Sequence, residues 1–500
     1  MKQHSLNYLV MFYASYCLAL FKTKTMLVSF GTKILYGFGF ASQGIKDGLF
    51  QVFLFIFYNQ VLGLDPILTG TATIIALIFD AISDPLVGVI SDNWISKKWG
   101  RRHPFMFLSA FPLGITIWLL FLPPETLGHS GLFWWMTIFT ILVRLSLTLF
   151  IVPAMSLGAE MSSNFEERTS ITTIRITFGA LIATVIIIIG FIFFFVPTEE
   201  YARGLENKNA YPAFAMFCGV LIIIAVLISA WGTQKEIPKT QRAQLITRPP
   251  LSLKGLRETI GKMIELKSFN SILGFNMAVY IGLGVGTVFS TYFMEYYFRL
   301  SETEMIALPI ASGLGGILAM IFAPRIGKKL GKKKTVIYST ILFAIIFSLP
   351  YNLRIIGLFP ENGDPNLIKY YFFSVMGGYA FLWIAFSLVN SMMADVIDEY
   401  ELKNHKRDEG LFFSALSLAY KMTVGIGYFI SGILLKIIAF PIKNEVGIIP
   451  QGAIEGLGMI GGPILLGMYL ISILFIRIYN IDKKRFEEIR ADLDKRLHSN

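Results

Sequence analysis

Seven ionisable side chains stand inside runs that are otherwise apolar: Lys46, Asp47, Asp80, Asp84, Arg144, Arg175 and Lys421. A charge in the middle of a membrane helix costs about 3 kcal/mol unless it is paired or hydrated, so such positions mark function by default. Asp80 and Asp84 are four apart, which on a helix puts them on one face, one turn from each other. Two carboxylates that close repel, so one is protonated or a cation sits between them. A hard cation such as Na⁺ takes oxygen ligands. Ser83 beside the pair, and a hydroxyl such as Thr148, would complete the shell. Pro85 frees a carbonyl one turn back, near Ala81, as a further ligand. The plainer alternative is a static ion-pair cluster with Lys421 or Arg144 that holds a bundle together.

Lys46 and Asp47 fall in GFGFASQGIKDG, whose glycines loosen the helix and permit close packing. Neighbouring residues on a helix point in different directions, so this acid and base need not neutralise each other. A carboxylate here suits hydrogen bonding to substrate hydroxyls, the alternative being that Asp47 simply pairs with Arg175. Trp383 and Phe386, three apart, offer a stacking surface to a ring, or plain packing in a chain that is 14% aromatic. No HExxH, GxSxG or GxxxxGK[ST] pattern occurs. The five histidines (His4, His103, His129, His405 and His498) lie in tails, loops or helix ends, which speaks against haem or zinc. The two cysteines, Cys17 and Cys218, are far apart in apolar runs, so neither a disulfide framework nor a metal site is indicated.

The elements that position these residues follow from composition. The chain has 500 residues, 54% hydrophobic and 15% charged, with mean hydropathy +0.62. An average soluble domain is about 25% charged. A soluble chain of this composition would expose apolar patches larger than soluble monomers tolerate, so soluble enzymes, nucleic-acid binders and disordered chains are excluded. Twelve apolar runs are long enough to span a bilayer, near 32–60, 67–91, 104–122, 131–156, 170–196, 212–232, 269–295, 304–324, 335–357, 368–393, 411–440 and 456–478. The fold expected is an all-α polytopic membrane protein of twelve helices in two six-helix bundles. Residues 32–232 form the first bundle and 269–478 the second, joined by a central loop 233–268. A terminal extension 1–31 and a tail 479–500 flank them.

Lysine and arginine crowd one side of these runs: Lys97, Lys98, Arg101 and Arg102, then Arg168, the central loop, the cluster from Arg325 to Lys334, Lys403 to Arg407, and the tail. The other side carries Arg203, Lys208, Arg299, Arg354, Lys369 and Lys443. By the positive-inside rule the basic side is cytoplasmic, and both termini with it. The net charge of +11 then reads mainly as orientation. Residues 7–21 form an apolar run too short for a span and similar to a signal-peptide core. The stretch from Met26 looks like a natural start, so residues 1–25 read as an upstream extension or an interfacial segment.

The run FDAISDPLVGVISDNWISKKWGRRHPF at 79–105 resembles the signature of the glycoside–pentoside–hexuronide:cation symporters of the major facilitator superfamily. YGFGFASQGIKDG at 36–48, VPAMSLGAEMSSNFEERTSITTIR at 152–175 and MMADVIDEYELKNHKRDEG at 392–410, followed by Lys421, are similar as well. PRIGKKLGKKK at 324–334 repeats the first half's basic loop in the second, as internal repeats in transporters do. The resemblance implies that Asp80 and Asp84 are the cation carboxylates, with Thr148 as a hydroxyl ligand and Ser83 where the family has an asparagine. It implies that Lys46, Asp47 and Arg175 line the sugar site, and that Lys421 is the basic coupling residue. Ile151 occupies the place of a second sugar-binding aspartate and Met155 that of a tryptophan. Leu416 and Ser417 stand at two polar positions, and Phe386 falls where a stacking tryptophan is expected, with Trp383 one turn away. On this resemblance the cation site would be retained and the sugar site would be partly apolar. A related eukaryotic branch carries lysophospholipids, which such a pocket suits.

The expected activity is symport of a sugar, glycoside or related solute with Na⁺ or H⁺, by alternating access in a plasma (bacterial inner) membrane. Lys421, with Arg144, would balance the carboxylates until the cation takes over. The loops 92–104 and 325–334, with Asp92, Gly100, Arg101 and Arg102 in the first, would latch the halves when the carrier faces outward, with Asp92, Glu160 or Asp395 as acidic partners. The expected partners are a small-molecule substrate and the bilayer, with no nucleic acid, no obligate protein partner and no cofactor beyond the coupling cation. A membrane enzyme would need a nucleophile, a metal or a His–acid set near a membrane face. A receptor or scramblase-like protein would not need the mid-membrane pair.

Overall fold

In the computed structural model the described residues are 28–94, 96, 98–162, 165–237, 261–405, 409–442 and 449–499. The segment 1–25, Lys97, Lys406, Arg407, Lys443 and most of the central loop lie outside them. Eleven helices among the described residues are long and apolar enough to cross a membrane. A twelfth run, α1, is helical in pieces: Phe30–Gly39, Ala41–Gly48, and two π-helical turns at Leu49–Leu54 and Phe57–Val61. Its interruption at Phe40 falls in the glycine-rich motif, where backbone hydrogen bonds cost least to rearrange.

The remaining helices are α2 Pro66–Asn93, α3 His103–Leu120, α4 His129–Glu160, α5 Phe165–Ile189, α6 Ala210–Gly232, α7 Lys267–Tyr292 and α8 Ala307–Leu330. They continue as α9 Lys332–Ile355, α10 Pro365–Asn404 and α11 Glu409–Ile437. The last span, α12, runs through Gln451–Met459, a π turn at Ile460–Ile464 and Leu465–Ile476, and an amphipathic tail helix α13 covers Lys483–Ser499. Capping chemistry starts α2 and α10 in the same way. Asp65 precedes Pro66 and accepts from the Ile67 and Leu68 amides at 2.8 and 3.2 Å. Asp364 precedes Pro365 and accepts from the Asn366 amide at 2.8 Å. Proline at the first helical position loses no bond, because that amide has no intrahelical acceptor.

Packing repeats with a period of six helices. In the first set α1 packs on α5 and α6, α2 on α4, and α3 on α4 and α6. In the second, α7 packs on α11 and α12, α8 on α10, and α9 on α10 and α12. The most extensive contact between the sets is α2 against α11. There the backbones nearly touch: a Cβ on Gly70 would lie 2.8 Å from the Tyr428 carbonyl oxygen and 2.9 Å from the Phe429 Cα.

One face of the bundle carries the loops around Gly100 and Gly331, both at positive φ; it is called the basic face below. At the opposite face the two sets are bonded directly. The Tyr292 hydroxyl donates to Asn59 Oδ1 at 2.6 Å, and the Thr291 hydroxyl to the Val52 carbonyl at 3.1 Å. Arg203 donates to the buried Glu295 carboxylate at 2.8 Å and to its carbonyl at 2.7 Å. At the basic face the ion pairs described stay within one set. Glu167 is an example: it accepts from the Val28 amide and the Ser162 hydroxyl, each at 2.6 Å, with Lys33 at 3.1 Å. Burial pushes this carboxyl up, and the three partners more than offset that and hold it below its usual range. A depressed carboxylate stabilises above its unfolded pKa, so this clamp between α1 and α5 is lost as pH falls through the folded value.

Gly70→Leu should wedge α2 from α11 and open the opposite face. In a background lacking other cysteines, Cys placed at Asn59, which is buried here, is expected to react with a membrane-impermeant maleimide several times faster in Gly70→Leu. Equal rates would show that this contact does not hold the face closed.

Candidate functional site

The apolar spans bring a compact charged cluster together where α2, α4 and α11 meet. Asp80 is buried, and its Oδ2 lies 2.9 Å from Lys421 Nζ and 3.3 Å from Arg144 NH1. Asp84, one turn on, forms an ion pair with the same lysine. Thr148 on α4 lies between the two carboxylates, its hydroxyl 3.1 Å from Asp80 Oδ1 and 2.8 Å from Asp84 Oδ1. A hydroxyl has one proton, so Thr148 donates to one carboxylate at a time. Two negative and two positive side chains leave the cluster with no net charge. Asp80, Asp84, Arg144 and Thr148 come from the first set of helices and Lys421 from the second, so the cluster is also a bond between the sets at mid-depth.

Ser83 does not join it in this structure: its hydroxyl donates to the Asp80 backbone carbonyl at 3.1 Å. The reason is local, since a serine on a helix finds its own turn's carbonyl within reach. The helix passes through Pro85 without ending.

Lys46 and Asp47 correct a sequence expectation. They pair with each other although adjacent, because the lysine's four-carbon stem can fold back over its own turn. Asp47 keeps 46% side-chain exposure. Lys46 also sits 5.5 Å from the Phe50 ring centre, and Arg144 lies 5.8 Å from the same ring, so Phe50 links the Lys46–Asp47 pair to the cluster through cation–π contacts. Arg175 is not paired with Asp47 here. Its guanidinium lies over the Phe40 ring at 5.4 Å, and none of the hydrogen bonds or ion pairs among the described residues engages it.

A second wall is built by the other set. A cavity of about 240 Å³ is lined by Asn276, Tyr280, Phe386, Asn390, Phe413, Leu416, Ser417 and Tyr420. Phe386 and Ser417 belong to it, as their sequence positions suggest. Tyr280 stacks on Phe386 at 5.1 Å with an interplanar angle of 17° and meets Tyr420 edge-on at 4.7 Å. Trp383 is not in the lining: it is 49% exposed and lies beside Gly316 of α8. Its ring still meets that of Phe386, at 6.0 Å and tilted by 60°, from outside the lining. Asn276, Tyr280 and Asn390 were not singled out from the sequence, since lone amides and tyrosines in apolar runs give no periodic signal.

The latch residues are engaged inside the first set. Arg101 donates to Glu160 at 2.5 Å, Arg102 reaches Glu160 at 2.9 Å and the Ser91 hydroxyl at 3.0 Å, and Arg102 also pairs with Asp92. Gly100 supplies the positive φ of 64° that turns the chain into α3. The second set repeats the arrangement: Gly331 at φ 80°, then Lys332 paired with Asp395 at 2.7 Å.

A family model described as MFS/sugar transport protein matches residues 35–483. The isoprimeverose transporter of Lactiplantibacillus pentosus is 24% identical, the match covering 94% of this chain and 92% of that one. The sodium-dependent lysophosphatidylcholine symporter 1 of Gallus gallus is 25% identical over 94% of this chain and 90% of its own. The glucuronide carrier protein homolog of Escherichia coli is 20% identical over 94% and 96%. Among solved structures, the nucleoside transporter NupG (D323A mutant) superposes with a TM-score of 0.61 at 16% identity, covering 90% of this chain and 99% of that one. A bacterial homologue of the iron transporter ferroportin in an inward-facing state does so with a TM-score of 0.62 at 13%, covering 91% and 100%.

Removing Lys421 should leave Asp80 paired with Arg144 and Asp84 without an ion pair among the described residues. Lys421→Gln is expected to lower thermal stability by about 1–3 kcal/mol, less than for a fully buried pair because Asp84 keeps 32% exposure. Adding Asp84→Asn should restore most of it by rebalancing charge. A double variant no more stable than Lys421→Gln would mean that the carboxylates are not what the lysine holds.

Proposed function

The chain belongs to the MFS/sugar transport protein family and is an integral membrane transporter; from that premise we propose that it couples a cation, Na⁺ or H⁺, to inward movement of a small organic solute by alternating access. The observation that carries this reading is the neutral cluster of Asp80, Asp84, Arg144 and Lys421 around Thr148, shared between the two sets of helices. Lys421 occupies the position a cation would take between the carboxylates. When Na⁺ arrives, the carboxylates and the Thr148 hydroxyl supply oxygen ligands of the kind a hard cation takes, and the lysine is released. Protonation of one carboxylate has the same effect on charge. Either event breaks a bond between the sets and re-forms it differently, which ties cation occupancy to their relative position.

Substrate binding is assigned to the space between Asp47, Lys46 and Arg175 on one side and Phe386 and Ser417 on the other. Arg175, stacked on Phe40 with no donor engaged among the described residues, suits a hydroxyl, carboxylate or phosphate oxygen. Cation and substrate then raise each other's affinity, and linkage makes the effect reciprocal. A half-loaded carrier would have to bury an uncompensated charge, which disfavours switching in that state. A sugar or glycoside is the first reading of the solute. A lysophospholipid-type lipid is the second, favoured by Leu416 in the cavity lining and by Ile151 and Met155, which the family resemblance puts at sugar-site positions. We also take the basic face as cytoplasmic on charge grounds, with both termini there and the protein in a plasma or bacterial inner membrane. On that orientation the bonded opposite face makes this an inward-facing state. The Arg101, Arg102 and Lys332 clusters are then held within each half until outward opening brings the halves together.

Uptake into proteoliposomes tests the cation site. Asp80→Cys and Asp84→Cys are each expected to abolish Na⁺- or H⁺-stimulated uptake, with at least a tenfold loss, while the folded protein is retained. Full cation stimulation in both would exclude these carboxylates. The solute class is read by thermal stabilisation of the purified protein with sugars, glycosides, hexuronates and lysolipids, each with and without Na⁺. Lipid flipping independent of any cation would instead favour a scramblase-like activity.

A further inference from the structure

A second cavity lies away from the proposed transport site, at the basic face among α8, α9 and α10. Its volume is about 440 Å³, within the range of about 300–1,000 Å³ that holds small ligands. Leu330, Tyr338, Leu342 and Phe381 make its walls, and Arg325 and Lys329 stand at its rim. Tyr338 is 53% exposed and Leu342 is also exposed, so the groove opens outward from the bundle, toward the bilayer.

Two observations give this groove an occupant. The first is charge. Arg325 and Lys329 are one helical turn apart, neither makes an ion pair among the described residues, and the hydrogen bond Arg325 makes there is to the Ile321 carbonyl at 2.6 Å. Their neighbours are committed: Lys332 to Asp395, and Lys333 to the Arg477 and Tyr479 carbonyls, each at 2.7 Å. The second is the internal repeat. Counting from Gly100 and Gly331, Trp94, Trp99, Phe105 and Phe107 of the first half correspond to Arg325, Leu330, Val336 and Tyr338 of the second. In the first half the large rings pack on one another, Trp94 against Phe105 at 5.7 Å and Trp99 against Phe107 at 5.1 Å. In the second half Arg325, Leu330 and Val336 replace three of those rings while Tyr338 keeps the fourth, and a cavity with a cationic rim lies there. We propose that this groove binds one anionic phospholipid, an acyl chain lying against Leu330, Leu342 and Phe381 and the phosphate held by Arg325 and Lys329. Basic pockets between helices at a membrane surface recognise lipid headgroups in this way, and the apolar walls give an acyl chain a surface that a free phosphate would leave uncovered.

Native mass spectrometry of the delipidated full-length protein tests this with phosphatidylglycerol and phosphatidylcholine. The wild type is expected to retain one phosphatidylglycerol with at least tenfold higher apparent affinity than phosphatidylcholine. Arg325→Ala with Lys329→Ala should weaken phosphatidylglycerol by roughly 10- to 30-fold and leave phosphatidylcholine unchanged. Leu342→Trp, which keeps both charges and fills the groove, should also lose phosphatidylglycerol, and glycerol 3-phosphate should not compete with it. Equal retention of the two lipids by the wild type would overturn the proposal. So would wild-type retention of phosphatidylglycerol in either variant, or displacement by glycerol 3-phosphate. If the double alanine variant does not run as a single species on size exclusion, Leu342→Trp and the charge-keeping pair Arg325→Lys with Lys329→Arg decide, the latter expected to bind as wild type.

Discussion

Two carboxylates and two cations held at mid-depth in an apolar bundle stabilise one another so long as their charges balance, and the cost of losing that balance governs much of this molecule. Asp80, Asp84, Arg144 and Lys421 meet that condition, with Thr148 donating to whichever carboxylate needs a proton donor. Desolvated charge is expensive where water is scarce. The three helices that supply these groups are therefore constrained in rotation and depth, and α2 and α11 pack more closely than other pairs across the divide. A cluster that is neutral and made by both sets is also sensitive: any ion that enters must displace one of its members.

The six-helix repeat explains how such a site is positioned without symmetry in its chemistry. Helix contacts recur between the halves pair by pair, and so do the glycine turns and the ion pairs beside them, Arg101 and Arg102 with Glu160 in one half and Lys332 with Asp395 in the other. The charged cluster and the cavity wall break the repeat. Four of the five members of the cluster belong to the first half, while the second contributes Lys421 and the aromatic and amide wall of Tyr280, Phe386, Asn276 and Asn390. The same asymmetry operates at the basic face, where tryptophans fill one half and a cavity opens in the other. A repeated scaffold provides rigid bodies, and departures from the repeat provide sites.

Closure at the opposite face rests on a different kind of contact. Gly70 and its neighbours let backbones approach, as small residues do in membranes, where burial of apolar surface gives little drive. Around them Asn59–Tyr292 and Arg203–Glu295 supply the polar bonds that give the contact direction. Small-residue contacts and a few bonds can be exchanged with little loss, which suits an interface that must open and close. The ion pairs within each half, such as Glu167 with Lys33, leave those halves to move as units.

The sequence by itself determined the class, the order of the apolar spans and the identity of the costly charges. These depend on hydrophobic length and on residue type, which are properties of a linear chain. Asp80, Asp84 and Lys421 stood out because ionisable groups in apolar runs are rare and because the carboxylate spacing matches a helical turn, whereas Thr148 was singled out mainly by the family resemblance. The tertiary structure decided which partners meet. Lys46 folds onto its own neighbour, Ser83 turns to its own backbone, Arg175 stacks on Phe40 instead of pairing with Asp47, and Trp383 touches the Phe386 ring from outside the cavity lining, beside Gly316. Each outcome depends on side-chain reach and on how neighbouring helices are rotated. Spacing along one helix does not contain that rotation, which is set by packing between helices distant in sequence.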